Sequence, residues 1–87
     1  MITGTTSTGF AFELEDDVFD DYEFLEVLKE IDEGNEEHVV TMVDILLGEV
    51  QKKLLKEHVR NEKGKVSVTR IMEEVTEIFN LCNEGKN

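Results

Sequence analysis

Basic residues are scarce in this chain: nine lysines and arginines stand against twenty-one acidic residues in 87. The shortage is concentrated. Through Gln51, fifteen carboxylates face Lys29 alone, a net of −14, whereas from Lys52 onward eight bases face six acids, a net of +2. That distribution argues against general nucleic-acid binding, because the phosphate backbone repels the N-terminal half. It argues equally against an anionic membrane surface. The two halves can attract one another within one chain or between copies in a homo-oligomer, most strongly at low salt. The single cysteine, Cys82, excludes an intramolecular disulfide and a multi-cysteine zinc site, and it suits a reducing compartment. No apolar run approaches the ~20 residues that a bilayer span needs. The first nine residues carry neither a basic region nor a continuous apolar segment, so no signal peptide is expected. Proline is absent, and neither an internal repeat nor a low-complexity segment is present.

The usual signatures of chemistry are missing too. His38 and His58 are the only histidines, and neither sits four residues from a second zinc-type ligand, so both read as solvated surface side chains. Cys82 falls on an apolar helical stripe and reads as a small buried hydrophobe rather than a nucleophile. The paired aspartates Asp16-Asp17 and Asp20-Asp21 invite a calcium loop, but the sixth position would be Asp21 and the twelfth Val27, where glycine and a bidentate glutamate belong. Helix capping and a solvated acidic face explain them better. Gly4 and Gly9 precede a strand, not a helix, so they form no phosphate loop. The basic run over 52–65 lacks interleaved aromatics and carries Glu57 and Glu62, which fits a solvated face or a docking patch for an acidic partner. No enzyme, cofactor or metal site is expected.

What the chain does have is periodicity. Phe10, Phe12 and Leu14 alternate with Ala11, Glu13 and Glu15, as in a half-buried strand. A strand needs a partner. The favoured one is the segment 2–8 folded back through Gly9; a strand from another subunit is the alternative, and residues 1–9 are then either flexible or an edge strand. The aspartates at 16–21 open a helix, with Tyr22, Leu25 and Leu28 and a neighbouring row of Phe24, Val27 and Ile31 as its apolar face, and Gly34 closes it. A second helix is expected over about 36–47 and a third over about 49–61, the latter with Val50, Leu54, Leu55 and Val59 inward and Gly48 marking a break or a close helix contact. Ser67 caps a final helix whose Val68, Ile71, Met72, Val75, Ile78, Phe79 and Cys82 follow the helical period. Residues 83–87 read as a frayed tail. The expectation is one domain over 1–87: mainly α, four helices in an orthogonal or bundle-like arrangement, with a short N-terminal β-hairpin or strand.

The order of these features carries a resemblance. It runs from Phe10-Ala11-Phe12-Glu13-Leu14 to Asp20-Asp21-Tyr22-Glu23-Phe24-Leu25, then Leu46-Leu47-Gly48-Glu49 with Gln51-Lys52. Leu55-Lys56-Glu57-His58-Val59-Arg60 follows, and Gly64-Lys65-Val66 leads into the last helix. Over about residues 9–87 the chain resembles the short tail assembly chaperones of long-tailed bacteriophages infecting Gram-positive hosts, counterparts of the lambda G protein.

The resemblance implies a protein of the host bacterial cytoplasm that binds the long, aggregation-prone tape measure protein. Such a chaperone helps major tail (tube) protein subunits polymerise around the tape measure and leaves before the virion is complete. Many members are also made in a longer form by programmed frameshifting, and Lys86-Asn87 is compatible with a slippery codon pair. An exposed tape measure helix would need its apolar stripe covered, and an acidic cover keeps the complex soluble through repulsion. The arc of Val39, Val40, Met42, Val43 and Leu46 is wider than a four-helix core requires, which makes it the candidate partner-binding surface; alternatively the whole arc is intramolecular core. Two other functions fit the composition: an acidic DNA mimic that inhibits a DNA-binding protein, and a minor structural tail protein.

Overall fold

A computed structural model describes residues 1–84 as a β-hairpin followed by three helices. Strands β1 (Ile2–Thr5) and β2 (Ala11–Leu14) pair antiparallel, with Ile2 opposite Leu14 and Thr5 opposite Ala11. The favoured hairpin is therefore the observed one. Phe10, Phe12 and Leu14 turn inward and are buried, as their alternation requires. Gly4 faces Phe12 across the pair, and a Cβ there would lie 2.7 Å from the Phe12 ring. The ring lies over a backbone that only glycine leaves uncovered.

Asp21 caps helix α1 (Tyr22–Asp32), its side chain accepting hydrogen bonds from the backbone N–H groups of Glu23 and Phe24 at 3.0 and 3.3 Å. The row of Phe24, Val27 and Ile31 faces the core, and of the other expected row only Leu28 joins it. Phe24 is fully buried and Val27, Leu28 and Ile31 are half-buried, while Tyr22 and Leu25 stand 76% and 56% exposed. The inward row wins because Phe24 packs with Phe19 and Phe79 in one aromatic cluster, with ring centroids 5.7–6.3 Å apart.

The expectation of four helices is corrected to three. Helix α2 (His38–Val59) takes in both middle segments, and the break expected at Gly48 is present as a kink inside it. At φ 78° and ψ 174° this one residue leaves helical geometry, and helical turns resume on either side. The space beside Gly48 is open, so the kink reflects backbone conformation and not a close helix contact. Two side chains brace it. Gln51 donates from Nε2 to the Leu47 carbonyl at 3.1 Å, back across the kink. Lys52 reaches Asp44 at 2.8 Å and Glu49 at 2.7 Å, so its ammonium also spans the bend.

Helix α2 ends at Arg60, whose backbone is extended and bridges to Val66. The intervening turn is built on Asn61, whose Oδ1 accepts from the N–H groups of Lys63 and Lys65. Ser67 then accepts from Arg70 N–H at 3.2 Å and opens helix α3 (Val68–Glu84), as expected. Ile71, Val75, Ile78 and Cys82 are buried, whereas Val68 stays 54% exposed. Of the tail expected at 83–87, residues 83 and 84 continue the helix, and Gly85, Lys86 and Asn87 lie outside the described residues.

Candidate interaction surface

The five residues singled out on α2 separate in the structure. Val39, Met42, Val43 and Leu46 lie in the core at 1–6% exposure, while Val40 is 67% exposed. Helical geometry explains the split: positions 39, 42, 43 and 46 form one i, i+3, i+4, i+7 row, and 40 lies beside it. Other apolar side chains join Val40 at the surface: Val68 at 54%, and Val50 at 73% and Leu54 at 57%, which were expected to face inward with Leu55 and Val59 but are turned out while those two are buried. The exposed ones form two outcrops. Val50 and Leu54 border a hollow against the hairpin, together with Thr3, Thr5 and Ala11. Val40 and Val68 border a groove of about 260 Å³ between α2 and α3, floored by Val39, Val43 and Ile71. Among the described residues, Lys52 and Lys56 are the only charged side chains lining that groove.

Electrostatics set it apart from its neighbours. A wider hollow on the other side of Val39 and Val68 is lined by Glu36, Glu73 and Glu77, and a fourth depression by Glu15, Asp17, Asp20 and Asp21. Lys52 is held by Asp44 and Glu49, and these hydrogen bonds, Asp44's first, raise its pKa above the usual lysine value. Lys52 in turn holds Glu49 below the ordinary carboxylate range. Lys56, one turn on, has no ion-pair partner among the described residues.

A polar cluster joins the hairpin turn to the helices. The hydroxyls of Thr6 and Thr8 donate to the two oxygens of Glu74 at 2.9 and 2.8 Å, and Glu74 is only 5% exposed. Ser7 donates to Glu77 from both its backbone N–H and its hydroxyl. His58 Nε2 lies 2.9 Å from Thr8 Oγ1, and its ring packs 5.6 Å from that of Phe10. His58 is thus an exposed residue with structural partners, more than the solvated side chain expected of it. The proton directions decide what this cluster can do. Thr8 has one hydroxyl proton and gives it to Glu74, so His58 must be the donor in its contact with Thr8. A general base would have to accept that proton instead. The arrangement is suited to holding the turn on α3.

Two features escaped the sequence reading. Gln51 pairs with the free edge of β2, accepting from Glu13 N–H and donating to the Glu13 carbonyl, both at 2.6 Å, as a third strand would. Nothing in the local pattern announces that contact. Glu74 did carry a signal: with Ile71, Val75 and Ile78 it occupies the i, i+3, i+4, i+7 positions of α3's inward stripe. A carboxylate on a buried stripe requires hydrogen-bond donors facing it, and a turn rich in threonine and serine supplies them. Among the described residues no group of three or more histidine, cysteine or acidic side chains could hold a metal ion, and no helix is long and apolar enough to cross a membrane. No family model, curated protein or solved structure matches the chain.

Proposed function

We propose that this chain is a bacteriophage tail assembly chaperone, working in the host bacterial cytoplasm. It binds the tape measure protein, promotes polymerisation of tail tube subunits around it, and is absent from the finished virion. The resemblance described above motivates the proposal. The observation that carries it is the pair of apolar outcrops, Val40 of α2 with Val68 of α3 and Val50 with Leu54 on α2, left exposed on an otherwise acidic molecule. A helical client with an apolar stripe fits such ridges, and a net charge of −12 keeps the covered client dispersed.

Co-expression with a tape measure fragment tests the proposal. The fragment should remain soluble and be retained by the tagged chain at both low and moderate salt. Retention of nothing at either salt, or a stoichiometric amount of this protein in purified virions, would overturn it.

A further inference from the structure

We infer that the groove between α2 and α3 bordered by Val40 and Val68 docks an amphipathic helical segment whose apolar edge is flanked by carboxylates, with Lys56 receiving the charge. This deepens the chaperone proposal by naming the chemistry of the partner. The groove's volume of about 260 Å³ falls below the ~300–1,000 Å³ of small-molecule clefts. It suits side chains projecting from a longer segment, not a whole ligand. The floor of Val39, Val43 and Ile71 is already part of the core, so a docking side chain would meet preformed apolar surface.

Charge selects the occupant. In a chain with more than two acids for each base, this groove is lined by two lysines and no carboxylate. Asp44 and Glu49 already neutralise Lys52, which leaves Lys56 as the open cation of the pair. Charges farther off than the Debye length of about 8 Å are screened at physiological ionic strength, so selection is set where contact is made: at Lys56 on one side of the groove, with the carboxylates of the adjoining hollow beyond Val39 and Val68. A client flanked by lysines would gain long-range attraction to the molecule but would meet like charge on docking. A client flanked by glutamates is matched where contact is made.

The test uses the full chain and three fluorescent helical peptides of about 20 residues. Each carries one leucine stripe, flanked in turn by glutamate, glutamine or lysine. Anisotropy titrations should rank the glutamate peptide tightest. Val40→Asp, at a 67% exposed position that leaves folding intact, should weaken it about tenfold or more. Lys56→Glu should weaken the glutamate peptide about three- to tenfold and reverse the ranking in favour of the lysine peptide. Equal or tighter binding of the lysine peptide to the native chain would overturn the inference, as would an unchanged affinity in Val40→Asp. Self-association abolished by Val40→Asp, with peptide affinity untouched, would assign the groove to a second copy and also overturn it. The two proposals fail separately. If Val40→Asp loses the peptide but still captures the tape measure fragment, the client binds elsewhere. If the native chain binds the peptide and no tape measure, the chaperone proposal falls and the groove stands.

Discussion

Replacing Gly48 with L-alanine sets two backbone effects of opposite sign against each other. In a straight helix the change would be favourable by about 1 kcal/mol, because glycine is the poorest helix former after proline. At φ 78° and ψ 174°, however, Gly48 occupies a region that is essentially closed to L side chains, at a penalty of about 1–3 kcal/mol. Steric space against the rest of the molecule does not enter, since no heavy atom beyond the adjoining residues and the nearby α2 backbone lies within 4 Å of a Cβ built there. Gly48→Ala should therefore destabilise by about 1–3 kcal/mol, lowering the melting temperature by roughly 4–8 °C for every kcal/mol in a domain of this size. Urea unfolding followed by circular dichroism measures the effect. A chemically synthesised Gly48→D-Ala chain provides the control. A D residue at these angles mirrors an L residue in extended conformation, so it should be neutral or stabilise by up to about 1 kcal/mol through the unfolded state. A stabilising L-alanine, or equal losses for both enantiomers, would refute the reasoning. If L-alanine straightened the helix instead, Gln51 would leave β2, and the Glu13 amide would lose its protection from hydrogen exchange.

Two further outcomes follow from the polar contacts. Glu74→Ala removes the acceptor for two hydroxyls, of which Thr6 is 4% exposed and cannot turn to solvent; it should destabilise by about 2–3 kcal/mol and Glu74→Gln by about 1 kcal/mol in chemical denaturation, and equal losses would show that the charge is irrelevant. The Arg60 guanidinium holds Glu57 below the usual carboxylate range. With its folded-state pKa depressed, Glu57 contributes fully above the unfolded value of about 4.3 and loses that contribution as pH falls through the folded value. Glu57→Gln should therefore flatten the acid side of the stability profile slightly at low salt, and the difference should vanish in about 1 M NaCl, where the Debye length is about 3 Å. A salt-independent difference would point to packing.

The hairpin was legible because Phe10, Phe12 and Leu14 obey a period of two that only one pairing partner in the chain could complete. The helix starts were legible because Asp21 and Ser67 carry short acceptors that reach nearby N–H groups. Those are local effects. What could not be read was decided between elements. Gly48 announces a departure from helical geometry, but whether the helix resumes depends on Gln51 and Lys52 bracing the bend, and on β2 lying within reach of Gln51. Similarly, Phe24 and Leu25 are adjacent and both apolar, and only the position of Phe19 and Phe79 determines which one is buried. The candidate surface suffered most: a wide apolar arc on α2 could be seen in the sequence, but the division that leaves Val40 outside and four neighbours inside depends on where α1 and α3 pack.

The tie between the hairpin turn and α3 also orders events during synthesis. Thr6 and its acceptor Glu74 are separated by 68 residues, which at about 5–20 residues per second takes a ribosome roughly 3–14 s to traverse. For most of that interval, once Leu14 has been added, both strands of the hairpin exist while the carboxylates that hold its turn do not. Phe10 likewise waits for His58. A nascent chain arrested before α3 should therefore be readily cut by protease at its N-terminal turn, and release of the full chain should protect it. The hairpin turn is made well before the helix that secures it.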